Sequence, residues 1–130
     1  MNHEYTYLNN DTTLLQSYYY HNYNLFHYQT YLNGALHGVF ETLHNNAVTW
    51  EKLEYHHGKL KAIHESRSTG GVPRKNSEFR DGNGTVTRYH YTGTKYSETT
   101  YKNGLKNGMM QIYDMGGTAQ GVAIFENNEP

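Results

Sequence analysis

A four-residue signature recurs along this chain at a nearly constant spacing: an aromatic residue, any residue, a polar residue, then glycine or asparagine. Five copies fit it: Tyr31-Leu32-Asn33-Gly34, Tyr55-His56-His57-Gly58, Phe79-Arg80-Asp81-Gly82, Tyr101-Lys102-Asn103-Gly104 and Phe125-Glu126-Asn127-Asn128. Their aromatic residues are separated by 24, 24, 22 and 24 positions, and a weaker copy, Tyr7-Leu8-Asn9-Asn10, lies 24 positions before the first. Self-similarity at a fixed period is typical of repeat proteins, in which each copy is one supersecondary unit stacked on its neighbours.

The signature continues beyond its first turn. Gly38 and Gly108 each lie seven residues after the aromatic residue of their copy, and Ala62 holds that place in the second copy. Gly84 comes two residues early, which accounts for the single short step. A second turn signal falls midway through each period, at Asn45-Asn46, Gly70-Gly71, Thr92-Gly93 and Gly116-Gly117. Each period therefore predicts strand, turn, strand, turn.

The residue types between the turns favour strands. Asn-Gly and Asp-Gly tolerate positive φ and favour tight reversals, and the segments between them, such as 85–91 and 121–125, are short and rich in Thr, Val, Tyr and Ile. No window of helical length carries an apolar stripe at helical spacing. We predict an all-β chain, an elongated single antiparallel meander sheet of about five stacked β-hairpin repeats. The alternative is an ordinary antiparallel meander whose turns happen to be regular.

Composition narrows the classes of function. Hydrophobic residues make up 35% of the 130 positions, so 14 tyrosines and 4 phenylalanines must supply much of the buried area. The net charge of −1 disfavours nucleic acid and anionic membranes as partners. The chain has no cysteine, which excludes disulfides and thiolate metal sites and fits a cytoplasmic location. No basic and apolar leader begins the sequence, and no stretch approaches the roughly 20 apolar residues of a membrane span, so we expect neither.

The segment Tyr101–Gly108, followed by Tyr113 and Gly117, resembles the variant MORN repeat: aromatic, any residue, Asn-Gly, a long side chain, a second glycine, then an aromatic residue before the next turn. Tyr31–Gly38 matches nearly as well, and Phe79–Tyr89 matches with the two-residue shortening. The resemblance makes residues 1–130 a single repeat domain. It covers 31–128, preceded by a divergent, tyrosine-rich N-terminal cap over 1–30.

Variant MORN repeats of this kind are similar to bacterial YwqK-type antitoxins, which include immunity proteins encoded beside secreted toxins. The resemblance implies a curved antiparallel sheet that presents a surface to a cognate toxin protein, and it implies no catalysis. MORN repeats also serve as scaffolds and have been linked to lipid binding, so a scaffold or lipid-surface module is the alternative function.

The histidines and hydroxyl residues do not form a recognisable catalytic or metal-binding pattern. His56 and His57 are adjacent, so in a strand they would point to opposite faces, and no His-x-His pair or Asp-rich calcium loop occurs. Ser66, Ser68 and His64 lie near a long loop without a nucleophile-elbow pattern. We therefore expect no metal, no cofactor and no enzyme activity, and a histidine-dependent enzyme is the least favoured hypothesis.

Two segments are candidates for contact with a partner. The tyrosine-rich run 18–28 is either a capping repeat or a binding patch, because tyrosine is enriched at interface hot spots. The polar loop 65–75 is interpreted as an insertion longer than its counterparts, either a flexible decoration or a contact element. The predicted partner-binding residues are Tyr18, Tyr20, Tyr23, Arg67, Arg74, Lys75, Arg88 and His90. We expect the chain to be a monomer by itself.

Overall fold

The computed structural model describes residues 3–8, 13–20, 22–76 and 78–129, and these residues form antiparallel strands joined in meander order. The first sheet contains β1 (His3–Leu8), β2 (Thr13–Tyr19), β3 (Leu25–Leu32), β4 (Ala35–Leu43), β5 (Thr49–His56) and β6 (Lys59–Ser66). The second contains β7 (Phe79–Arg80), β8 (Asn83–Tyr89), β9 (Lys95–Lys102), β10 (Leu105–Tyr113) and β11 (Ala119–Phe125). The all-β meander of stacked hairpins is confirmed, but the prediction of one continuous sheet is wrong, because the meander is divided between β6 and β7.

Helices are absent from these described ranges, and so is any helix long and apolar enough to cross a membrane. The turn of the weaker copy, at positions 9 and 10, lies outside the described residues.

Each of the five predicted tetrads ends in the same tight turn. The third residue of every tetrad has φ between 47° and 52°, and the fourth has φ between 72° and 84°. Positive φ at both central residues defines the type I′ turn, whose twist matches that of a β-hairpin. Asn33-Gly34 illustrates the geometry, because the flanking Leu32 and Ala35 are directly paired. The recurring Asn-Gly signature is therefore a conformational requirement of the hairpins.

The second glycine of the signature lies opposite the aromatic residue of the next copy. Gly38 pairs with Tyr55, and Gly108 pairs with Phe125. Gly84 pairs with Tyr101, so the early glycine serves the same purpose. Gly38, Gly84 and Gly108 have φ of 97°, 119° and 116°, values that L side chains rarely adopt. The spacing of ring and glycine thus links one repeat to the next.

The short step of 22 residues has a local cause. Tyr31 pairs with Leu36, and two extra residues bulge out of β4 before pairing resumes at Gln29 and Phe40. In the third copy Phe79 pairs directly with Gly84, so this two-residue bulge is missing. The deletion leaves the turn and the pairing of β8 with β9 intact.

The second turns of the repeats are also equivalent to one another. In each, the first residue donates its N–H to the carbonyl of the fifth, and the fourth donates its N–H to the carbonyl of the first. They begin at Tyr20, His44, Ser68, His90 and Asp114. The connection from β6 to β7 is longer than its counterparts, as predicted, but the prediction of an insertion is wrong, because Ser68–Val72 is a five-residue turn like the others.

What differs in this copy is the strand that should follow the turn. Pro73 bridges Arg67, and the N–H of Arg74 donates to the Ser66 carbonyl, but regular pairing then stops. The Asn76 side chain takes over the role of a strand: its Nδ2 donates to the Thr87 carbonyl at 2.8 Å, and its Oδ1 accepts from the Thr87 N–H at 2.7 Å. This substitution of side chain for backbone separates the two sheets.

The best-buried apolar cluster lies where the sheets meet. Leu53 and Leu60 belong to the first sheet, and Phe79, Val86 and Tyr101 to the second. The N–H of Leu60 also donates to the Gly104 carbonyl, a backbone bond between the sheets. The core therefore holds together the two parts of the divided meander.

Candidate functional site: an aromatic groove

One residue bulges out of the strand that follows four of the second turns. Tyr18 pairs with His27 and Tyr19 with Leu25, so Phe26 is the extra residue there. The same register change occurs in three later strands, where the extra residues are Trp50, Tyr96 and Gln120. A bulge re-aims the side chain that it carries. Three of these four side chains are aromatic, so the repeat directs large rings to equivalent places.

The three bulged rings line one groove, which we call the aromatic groove. It has a volume of about 210 Å³, and its lining residues are Phe26, Thr42, Trp50, Glu51, Arg88, Tyr89 and Tyr96. Trp50 is fixed in place, because its Nε1 donates to the Tyr89 carbonyl at 2.9 Å and its ring stacks on His44 at 4.9 Å. The groove is therefore a preformed feature at which β5 of the first sheet meets β8 and β9 of the second.

A second concavity adjoins the aromatic groove along the turn edge. It has a volume of about 390 Å³, and its lining residues are Tyr20, His44, Asn45, Asn46, Trp50, Thr69 and Tyr91. Trp50 belongs to both concavities, so they form one continuous surface.

A charged pair lies in the wall of the groove. Arg88 Nε donates to Glu51 Oε2 at 2.8 Å, and Arg88 Nη2 donates to the other oxygen of the same carboxylate. The side chains of Glu51 and Arg88 are only 15% and 33% exposed. Burial by itself would lower the pKa of Arg88, but the charge and hydrogen bonds of Glu51 outweigh it and raise that pKa. The groove thus combines apolar rings with an internally neutralised ion pair.

The turn edge beside the groove is held by repeated hydrogen bonds. The Tyr20 hydroxyl donates to the Leu43 carbonyl, and His44 Nε2 donates to the corresponding carbonyl of Arg67 one repeat later. His90 Nε2 donates to the Tyr113 carbonyl in the same way. A small residue, Ser68, occupies the equivalent place in the third copy, and Trp50 supplies the donor to Tyr89 instead. This ladder fixes the rings that surround both concavities.

Two of the eight predicted partner-binding residues line this surface, and a third, His90, lies beside its lining. Tyr20 lines the second concavity and makes an edge contact with Phe26, their ring centroids 4.8 Å apart. Arg88 lines the aromatic groove, and the ring of His90 lies 5.1 Å from that of Tyr96.

The other predicted residues lie outside the lining of both concavities. Arg67 donates to Glu65 of β6 and to the Gly71 carbonyl of the adjoining turn, and Arg74 packs against Gly93. Lys75 is exposed next to the divided part of the sheet. Tyr18 lies beside His27 with the rings 5.9 Å apart, and Tyr23 is exposed in the second turn that begins at Tyr20.

Sequence reasoning missed the bulged rings. Phe26, Trp50, Arg74, Tyr96 and Gln120 are separated by 24, 24, 22 and 24 positions, the same steps as the tetrads. Aligning every position of the repeat, rather than its turns alone, would have found this register. Its meaning depends on a bulge, which sequence periodicity does not reveal.

The structure also tests two predictions about histidines and serines, one for His56 and His57 and one for His64 and Ser68. The rings of His56 and His57 lie 4.3 Å apart, so the prediction that they face opposite sides is wrong. The reason is that His57 occupies the type I′ turn, with φ of 47°, and strand alternation does not apply to it. His64 Nε2 pairs with Glu54 at 2.9 Å, while the Ser68 hydroxyl accepts the Val72 N–H, so these two do not assemble into a nucleophile and base.

Comparisons of the chain with protein-family models, with curated proteins and with solved structures find no match in any of the three.

Proposed function

We propose that this chain is an immunity protein, or antitoxin, which binds a cognate bacterial toxin in the cytoplasm and blocks the toxin's active site through the aromatic groove. The observation that carries the proposal is the convergence of Phe26, Trp50 and Tyr96 beside the Glu51–Arg88 pair. Tryptophan, tyrosine and arginine are the residue types in which binding hot spots are richest.

The dimensions of the surface favour a protein partner. The groove, of about 210 Å³, has room for one inserted side chain, and the neighbouring concavity of about 390 Å³ extends the contact. Hot-spot pockets of this kind lie at the centre of interfaces that bury about 1,600 Å² in total. Because hydrogen bonds fix the rings of Trp50, Tyr20 and His44 beforehand, these side chains lose little entropy on binding.

The test is a growth assay in bacteria that co-express this chain with the polypeptide encoded by the neighbouring gene. The variant combines Tyr91→Ala with Tyr96→Ala, whose side chains are 48% and 40% exposed and can be removed without opening the core. The matched control is Met109→Ala, an exposed side chain, 54% accessible, outside both concavities. We expect the natural chain and the control to restore growth, and the double variant to fail while remaining folded by circular dichroism.

Three outcomes would contradict the proposal. The first is that the neighbouring polypeptide is harmless alone, and the second is that the double variant protects as well as the natural chain. The third is that the purified chain sediments with anionic vesicles while forming no complex with that polypeptide, which would favour the lipid-surface alternative.

A further inference from the structure

Three imidazoles meet at one corner of the first sheet, away from the residues that line the aromatic groove. The rings of His37, His56 and His57 have centroid separations of 4.7, 4.6 and 4.3 Å. One ring nitrogen from each can be chosen so that all three lie within 4.8 Å of one another. His56 and His57 are exposed and His37 is partly exposed, so the corner is open to solvent.

The repeat creates this arrangement at one place. His56 is the last residue of β5, and His57 holds the turn position that asparagine or aspartate holds in the other four tetrads. The positive φ of His57 turns its side chain back toward β4. His37 belongs to the two-residue bulge of β4, which moves its ring out of regular alternation. A turn histidine and a bulged histidine therefore come together from different strands.

We propose that His37, His56 and His57 form a binding site for a first-row transition-metal dication, with Zn²⁺ as the reference ion. Neutral imidazole is a preferred ligand of Zn²⁺, Cu²⁺ and Ni²⁺, and three histidines with one water complete a tetrahedral Zn²⁺ shell. Ligand nitrogens of such a shell lie about 3.3 Å apart, so the rings must close by at most about 1.5 Å. Rotation of the exposed His56 and His57 side chains supplies this movement.

The hydrogen bonding of the corner suits a neutral ligand at His37. His37 Nδ1 accepts the backbone N–H of His57 at 3.0 Å. Coordination through His37 Nε2 moves the ring proton to Nδ1 and ends that exposed hydrogen bond.

A metal at this site would connect β4 to the hairpin formed by β5 and β6. The ion would act as a structural cross-link at the turn edge opposite the aromatic groove. This proposal does not depend on the proposed antitoxin function. Because the ion would bind the folded chain and not the unfolded one, it would raise the melting temperature by mass action.

The test is isothermal titration of the purified, untagged full chain with Zn²⁺ after treatment with a chelator. The key variant is His57→Asn, which removes one ligand and installs the residue that Asn33, Asn103 and Asn127 show to be suited to this turn. The second variant is His56→Gln, and the control is His64→Gln, an exposed histidine of β6 outside the cluster.

We expect one equivalent of Zn²⁺ to bind the natural chain and the control with equal affinity. Each cluster variant should bind at least about ten-fold more weakly and lose the rise in melting temperature on adding Zn²⁺. Absence of binding heat in the natural chain, or unchanged affinity in His57→Asn, would overturn the proposal. Equal weakening by His64→Gln would place the ion elsewhere and would overturn it as well.

Discussion

At the scale of single residues, the repeat depends on glycines whose backbone conformation other residues rarely adopt. Gly84 is the extreme case, with φ of 119° and a position at which a Cβ atom would lie 1.9 Å from the Glu78 carbonyl oxygen. Gly121 is a natural comparison, because a Cβ built on it would meet nothing within 4 Å. Both glycines lie in strands of the second sheet.

Replacement of Gly84 by alanine should therefore destabilise the protein, whereas replacement of Gly121 should not. We expect Gly84→Ala to lower the free energy of unfolding by about 2–4 kcal/mol, from backbone strain together with the clash. Urea unfolding followed by circular dichroism measures both variants. Equal midpoints for Gly84→Ala and Gly121→Ala would show that the positive φ is not a constraint.

His27 is a buried histidine whose two ring nitrogens are both bonded. Its Nε2 donates to Gln29 Oε1 at 3.0 Å, and in the neutral ring its Nδ1 accepts the Thr42 hydroxyl at 2.9 Å. Its ring also lies 4.4 Å from that of Phe40. Burial is the main cause that lowers the pKa of His27, against the smaller opposing effect of the Gln29 hydrogen bond.

This environment predicts a pH-dependent stability. Because the pKa of His27 is lower in the folded chain than its unfolded value of about 6.5, the unfolded chain binds a proton that the folded chain does not. The contribution is therefore complete above about pH 6.5 and is lost as the pH falls below it. The urea midpoint of the natural chain should decrease between about pH 7.5 and about pH 5.5, and His27→Gln should reduce that decrease. An unchanged decrease in the variant would assign the effect to other groups.

At the scale of elements, one side chain replaces part of a strand. Asn76 bonds both backbone groups of Thr87 at the point where regular pairing stops after the isolated Arg67–Pro73 bridge. A carboxamide carries one donor and one acceptor group and so imitates a peptide unit. The neighbouring Lys75 contributes its carbonyl to the Tyr89 hydroxyl, but its side chain is exposed.

Removal of the Asn76 carboxamide should destabilise the sheet at Thr87, where none of the described strands supplies the backbone partners. We expect Asn76→Ala to lower the free energy of unfolding by about 1–3 kcal/mol, because the Thr87 N–H and carbonyl lose their partners. Lys75→Ala, the adjacent control, should change it little. Hydrogen exchange of the Thr87 amide, measured by NMR, should accelerate in the asparagine variant alone. Unaltered protection of that amide would mean that the backbone needs no substitute partner.

The elements were predictable where one residue type determines one conformation. Asn-Gly and Asp-Gly at Asn33, Asp81 and Asn103 require no distant partner to favour a type I′ turn, so the turn positions follow from local chemistry. The division of the sheet depends on Asn76 reaching Thr87, a contact that spacing does not encode. The prediction that His56 and His57 face opposite sides failed for a related reason, because the turn conformation of His57 overrides strand alternation.

At the scale of the whole molecule, the aromatic groove exists because the two sheets meet. Trp50 and Glu51 come from the first sheet, and Arg88 and Tyr96 from the second. Sequence reasoning placed Arg88 on a binding surface from its residue type alone and could not identify Glu51 as its partner, 37 positions away. The position of the site is therefore harder to predict from the sequence than the fold, because the site is formed by tertiary packing.

The central claim is that a partner protein contacts this groove, and the chain's single tryptophan reports on it directly. Trp50 can be replaced by 5-fluorotryptophan during expression, which places one fluorine in the groove. The labelled chain is then titrated with the unlabelled polypeptide of the neighbouring gene, and complex formation is followed separately by size-exclusion chromatography. We predict that the ¹⁹F resonance shifts in step with complex formation. A complex that forms while the Trp50 resonance keeps its position and width would contradict the claim.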